Sequence, residues 1–233
     1  DLHLSLRRQR QMCIRDSMKL YIDPITVNCR KVVAGLDMIG ASYETEQLNY
    51  FGGDHKQPTF TKINPNAELP ALVDGDLVLW ESNAILVYAS EKLGNKNAYP
   101  DEPKIRGDIT RWLLWESSKW FGGCYVYLVE NVVKPILDDT PDNDVLNAHA
   151  PTFHGQAAIL EAGLEGGDWL CDDQATIADI AVAAPMHLHG AQKLPLENYP
   201  NIRGWISRVE GLSCWQNSDP VPHIPAELLA KLA

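Results

Sequence analysis

The 233-residue sequence has no apolar run near the roughly 20 residues that a bilayer-crossing helix needs, so no membrane span is expected. Positive charge is scarce. The formal net charge is −11 and no basic patch follows residue 18, so a nucleic-acid backbone would be repelled and is not expected as a partner. The five cysteines, Cys13, Cys29, Cys124, Cys171 and Cys214, lack a paired, short-spaced framework. An odd count in a chain this long points to reduced thiols and a cytoplasmic home. Metal, nucleotide and hydrolase signatures are missing too. His187 and His189 stand two apart, a spacing that cannot share one helix face, so no metal is expected there. Internal repeats and low-complexity segments are also lacking.

What is present begins with an anomaly. The first seventeen residues, "DLHLSLRRQRQMCIRDS", hold four arginines and no apolar core of the kind a secretory signal requires. They read as an extension foreign to the natural chain, with translation starting at Met18. The fold is therefore argued from residue 18 onward. The chain is 45% hydrophobic, enough for one large domain or two small ones.

"KLYI" (19–22) is a β-prone run stopped by Asp23-Pro24. From Thr26 to Gly40, Val27, Val32, Val33, Leu36 and Ile39 fall at helical spacing, with Gly40 as the C-cap. A second strand is predicted over 42–48, then loop over 49–67. "ALV" and "LVLW" flank Asp74-Gly75-Asp76, a hairpin signal. A helix follows from Ser82 to Leu93, ended by Gly94. The order β-α-β-loop-β-β-α over 18–94 predicts a small mixed sheet with helices on it, an α+β arrangement. Residues 95–104 read as a linker. The region 105–233 reads as all-helical, with a long aromatic-rich segment over 105–133 that Gly122-Gly123 is expected to bend or loosen.

Two local patterns carry a mechanism. Thr176-Ile177-Ala178-Asp179 is a capping box opening an apolar helix, and its reading is purely structural. Pro70 cannot donate to a strand ladder and belongs at a strand start. With a cis Leu69–Pro70 bond, the Leu69 N–H and C=O would face outward, free to pair with an extended peptide. Glu81-Ser82 opens the next helix, where free N–H groups and the positive dipole end favour a carboxylate. Backbone hooks beside a group that grips an α-amino acid end describe a site for a small peptide.

Taken together, Pro70, Glu81-Ser82, the βαβ-ββα order, the linker, the helical second half and the Thr-x-x-Asp box resemble the cytosolic glutathione transferases of the theta- and phi-like branch. The likeness spans residues 18 to about 217. It implies a thioredoxin-like N-terminal domain, an all-α C-terminal domain, a homodimer, and glutathione as co-substrate with no metal. By the same resemblance Glu81 and Ser82 hold the γ-glutamyl end, Leu69 ahead of Pro70 pairs with the cysteinyl backbone, and His55 and Lys56 meet the glycine carboxylate. Thr26 stands where the theta-like pattern has its serine, and is the first choice as partner of the thiolate. Asn28, through its amide, and Cys29, as a nucleophile of the thiol-transferase kind, compete with it, although the theta-like pattern carries a non-catalytic cysteine here and the favoured reading of Cys29 is a small buried residue on the first helix. Arg30 and Lys31 read as helix surface, with reach into the active site as the alternative.

The second substrate, an apolar or aromatic electrophile, is expected against the long helix, where Trp112, Trp115, Glu116, Lys119, Trp120, Phe121 and Tyr125 stand; Trp112, Trp115, Glu116 and Trp120 are the first choices, and one or two of the aromatics are expected to line the pocket while the rest serve core or dimer interface. Two departures from the family pattern stand out. Glu68 occupies a position where glutamine is usual, and Thr26 is β-branched where serine is usual. They leave room for a non-catalytic binding protein of the same fold, and Cys29 leaves room for a thiol transferase or lyase.

Overall fold

The structure, a computed structural model, describes residues 18–231; the extension at 1–17 lies outside the described residues. Strand β1 (Met18–Ile22) runs parallel to β2 (Tyr43–Gln47) and antiparallel to β3 (Ala71–Asp74), which turns at Gly75 into β4 (Leu77–Trp80). The sheet order is β2-β1-β3-β4. Leu20 pairs with Leu72 across the centre, and neither has any solvent exposure.

Helix α1 (Val27–Ile39) connects the parallel pair. Its heptad-like apolar spacing buries Val32, Leu36 and Ile39, and Gly40 ends it in the left-handed region at φ 78°, where a side chain would be strained. A short 3-10 turn (Asp54–Lys56) and α2 (Pro58–Thr61) fill the loop after β2. Helix α3 (Ser82–Leu93) packs beside α1 so closely that a Cβ on Gly35 would lie 2.3 Å from Leu86 Cδ2. Leu20, Leu36, Leu72 and Leu86 are fully buried, and each contributes roughly 1.5–3 kcal/mol of hydrophobic burial.

The second half is helical. Helix α4 (Pro103–Trp115), α5 (Phe121–Leu128) and α6 (Lys134–Ile136) form one run interrupted by two π-turns, Glu116–Trp120 and Val129–Val133. Helices α7 (Asn143–Gly163), α8 (Ile177–Ala183), α9 (His189–Gln192), α10 (Pro200–Glu210), α11 (Ser213–Asn217) and α12 (Ala226–Leu229) complete it. The interruptions fall at the π-turns and not at Gly122-Gly123, which lie inside α5. The capping box opens α8: Asp179 Oδ2 accepts the Thr176 N–H at 2.8 Å, and Thr176 Oγ1 accepts the Ala178 N–H at 3.2 Å. Among the described residues no helix is long and apolar enough to cross a membrane.

Arg30 and Lys31 are not helix surface. Both are buried, because α1 packs directly against the helical half, at α8, α11 and the turn Ala184–Met186. Arg30 Nη1 donates to the His187 carbonyl at 2.8 Å, and Lys31 Nζ donates to Glu116 Oε2 at 2.8 Å.

Candidate functional site

The site is assembled where three chain segments meet. Thr26 is the N-cap of α1, extended at φ −89° and ψ 144°. Its amide and its hydroxyl both donate to the Asp23 carbonyl, at 3.1 and 3.0 Å. The first intrahelical acceptor of α1 is the Thr26 carbonyl, used by the Arg30 N–H, so the N–H groups before Arg30 point out of the helix end. Asp23 is buried, and its carboxylate ties two loops together: Oδ1 accepts the Ile25 N–H at 3.2 Å and Oδ2 accepts the Tyr50 N–H at 2.8 Å. This fixes Thr26 and Tyr50 on the same rim.

The Leu69–Pro70 bond is cis, at the entry to β3. Among the described residues no hydrogen bond uses the Leu69 N–H or C=O. Glu81 caps α3 at φ 72° and ψ 109°, an unusual conformation for a residue with a side chain, and is exposed. Ser82 is buried: its hydroxyl accepts from Lys31 Nζ at 3.1 Å and donates to Asn28 Oδ1 at 3.4 Å. Asn28 thereby joins the first helix end to the second.

His55 is only 4% exposed and stacks on Tyr50 with ring centroids 4.4 Å apart. Burial, and next the charge of Lys56, hold its pKa below the ordinary imidazole range, so at neutral pH it is a hydrogen-bonding group without charge. Lys56 and Glu68 are exposed. Of the expected cationic pair, only Lys56 supplies charge.

A cavity of about 350 Å³ opens beside these residues. Thr26, Asn28 and Leu69 form one wall, and Phe121, Tyr125 and Leu128 the other. Ile224 and Leu228 from the C-terminal segment close over it. That volume and apolar lining suit a small organic molecule.

Of the expected electrophile wall, Phe121 and Tyr125 line the cavity, and the other choices need correction. Trp112, Trp115, Glu116 and Trp120 do not line this cavity. Trp120 has no exposure and its indole N–H donates to the Val182 carbonyl at 3.0 Å; Trp112 is 3% exposed and fills the space left by Gly163; Trp115 stacks on Trp120. Glu116, fully buried, serves Lys31 and Asn83. Trp112, Trp115, Glu116 and Trp120 stand at i, i+3, i+4 and i+8, one side of the helical run that faces the core, and Cys124 continues it; Phe121, Tyr125 and Leu128 stand on another side and meet the cavity.

Cys29 is the small buried residue of the first helix and not a nucleophile. It has no solvent exposure, and burial pushes its thiol up to about 12, with the Thr26 hydroxyl only partly offsetting. A nucleophile at neutral pH must be a thiolate in reach of substrate, and Cys29 is neither. His187 is a cavity residue that the sequence reading passed over, apart from excluding a metal pair. Among the described residues, no group of three or more His, Cys, Asp or Glu side chains is placed to hold a metal ion.

A βαβ-ββα sheet domain with a cis-proline at the entry to β3, followed by an all-helical domain that shares a cavity with it, defines a thioredoxin-like, two-part transferase class. Residues 16–91 match the family model "Glutathione S-transferase, N-terminal domain", and residues 128–212 match "Glutathione S-transferase, C-terminal domain". A rice protein (Oryza sativa subsp. japonica), the probable glutathione S-transferase GSTF2, is 30% identical over 191 residues, covering 81% of this chain and 89% of its own. The apo form of human glutathione-S-transferase T1-1 superposes with TM-score 0.81 at 25% identity, covering 93% of this chain and 96% of that one. Maize glutathione S-transferase I, solved in complex with an atrazine glutathione conjugate, gives TM-score 0.80 at 25% identity, covering 90% and 100%. The chain belongs to the glutathione S-transferase family and is a glutathione transferase.

Proposed function

We propose that the protein binds glutathione along the Leu69 edge and the α3 N-terminus, ionises its thiol beneath α1, and directs the thiolate at an apolar or aromatic electrophile in the adjoining cavity. The observation that carries this is the position of Thr26, a helix N-cap hydroxyl lining the same cavity as Leu69. Lowering a thiol pKa of about 8.5 by two units takes roughly 2.7 kcal/mol. A hydrogen bond to a charged group supplies roughly 1.5–3 kcal/mol, and a helix N-terminus adds roughly 0.3–1. The Thr26 proton must leave the Asp23 carbonyl to reach the sulfur. A charge-assisted bond is about twice as strong as the neutral one it replaces, which favours the switch.

On this reading residues 18–94 form the glutathione-binding domain and 105–233 the helical one, joined by 95–104. Glu81 and Ser82 take the γ-glutamyl end, and Lys56, with neutral His55 beside it, the glycine carboxylate. A homodimer in the cytoplasm completes the proposal. Free Cys29, Cys124, Cys171 and Cys214 support a reducing compartment.

The test is titration of glutathione into the purified protein, followed by calorimetry and by thiolate absorbance against pH. Saturable heat and a bound-thiol pKa clearly below about 8.5 support the proposal. Saturation with no drop in thiol pKa replaces it with a non-catalytic binder, and no saturation ends it.

A further inference from the structure

His187 is a buried group in the cavity wall that the chemistry above leaves unused. It follows the 3-10 turn Ala184–Met186 and is 7% exposed. Its backbone carbonyl is held by Arg30, whose guanidinium also lies over the Trp215 ring, 4.2 Å from the centroid, and donates to the Trp215 carbonyl at 3.3 Å. The residue is thus anchored through its main chain. Its ring is not: Nδ1 is sealed and has no partner among the described residues, and no described residue bonds Nε2. Sealed Nδ1 cannot meet a ligand, but Nε2, unpaired and not sealed, is the ring nitrogen that a molecule in the cavity can reach. Burial and the Arg30 charge keep the imidazole neutral, so it has one N–H to give and one lone pair.

We propose that His187 ranks the electrophiles this transferase accepts, favouring those whose acceptor oxygen gains negative charge as the carbon–sulfur bond forms. This rests on the transferase reading above. For a conjugated ketone the step balances as follows. The thiolate sulfur bonds to the β-carbon, the double-bond pair shifts toward the carbonyl, and the oxygen becomes an enolate. Solvent then protonates the α-carbon, the thiol proton having already left for solvent, and nothing else departs. The imidazole N–H bonds more strongly to the enolate oxygen than to the ketone, so it helps the transition state more than the ground state. Displacing a halide from a benzyl halide builds charge on the leaving halide and offers no such oxygen.

The experiment measures kcat/KM for a conjugated phenyl ketone and for a benzyl halide, at saturating glutathione, in the natural chain and in His187→Phe and His187→Gln. The ketone-to-halide ratio is expected to fall about tenfold or more in the Phe variant, the loss of one hydrogen bond to a charged oxygen. The Gln variant keeps an N–H donor and should lose less. A ratio unchanged in Phe, or lowered equally in Phe and Gln, overturns the proposal while leaving the transferase reading intact. Turnover of neither electrophile by the natural chain ends both. If the Phe variant does not fold, ring-nitrogen NMR of the natural chain decides. A shift of the His187 resonance on binding the ketone conjugate, beyond that caused by glutathione, supports the role, and no shift overturns it.

Discussion

Lys31 Nζ and Glu116 Oε2 lie 2.8 Å apart with both side chains shut off from solvent, so α1 is tied to the π-turn after α4 by a buried ion pair. Each charge has company: Lys31 also reaches Ser82, and Glu116 Oε2 also accepts from Asn83 at 3.0 Å. Glu116 Oε1 has no partner among the described residues. Removing one ion strands the other in the core, at a cost of about 3–5 kcal/mol, whereas an apolar pair of similar volume avoids both desolvation costs. Lys31→Met and Glu116→Leu alone should therefore each unfold at markedly lower urea, and the double variant should recover most of the loss. Additive losses in the double variant would show that the pair is not coupled.

Thr26 sets the second expectation. Thr26→Ala should return the pKa of bound glutathione toward about 8.5 and lower kcat/KM roughly 10- to 100-fold near neutral pH, the value of one charge-assisted hydrogen bond. The deficit should shrink as pH rises and the thiol ionises unaided. Thr26→Ser keeps the hydroxyl and should keep most of the rate. Stopped-flow absorbance of the thiolate measures the pKa directly, and an Ala variant with an unchanged value would move the role to Asn28.

Cys29 should be dispensable. Its thiol, raised to about 12 by burial, stays protonated throughout the working range. Cys29→Ala should retain turnover per folded molecule, and alkylation of the native protein followed by peptide mass mapping should leave Cys29 unmodified. Lost turnover in a well-folded Ala variant would restore the thiol-transferase reading.

His187 makes stability depend on pH. Burial and the Arg30 charge push its imidazole down to about 3, while the unfolded chain has an ordinary value near 6.5. Between those values the unfolded state binds a proton that the fold refuses. The stabilisation is therefore complete above about pH 6.5 and is lost as pH falls toward 3, at most about 1.4 kcal/mol per unit. The urea midpoint should drop less steeply from neutral to mildly acid pH in His187→Gln than in the natural chain. Parallel curves would mean that the imidazole is not buried neutral.

The strands, the helices of the first half and the capping box could be read from sequence because each rests on a local rule. Alternation with Asp74-Gly75 gives the hairpin, Gly40 and Gly94 end their helices, and Thr176 and Asp179 stand three apart. The cavity wall could not be read that way. The segment over 105–133 carries aromatic and apolar residues on more than one side, and periodicity does not say which side meets the ligand and which the core. Phe121, Tyr125, Leu128 and Val132 share one side and line the cavity, while Trp112 and Trp120 are buried in the core. Lys31 read as surface because charge is usually solvated; its partner, 85 positions away, is invisible to any window. His187 sits in irregular chain, where periodicity says nothing.

Asp179 is more than a helix cap. Its carboxylate accepts from the Thr176 N–H at 2.8 Å, the Leu170 N–H at 3.0 Å, the Trp205 indole N–H at 2.9 Å and the Thr176 hydroxyl at 3.2 Å. Thr176→Ala removes the hydroxyl that caps the Ala178 N–H and should cost roughly 0.5–2 kcal/mol. Asp179→Ala leaves three buried N–H donors without an acceptor, at about 1–3 kcal/mol each. Its loss should therefore exceed that of Thr176→Ala severalfold, enough to prevent folding at physiological temperature. Expression yield and urea denaturation of the two variants side by side measure the difference, and equal losses would reduce Asp179 to an ordinary cap.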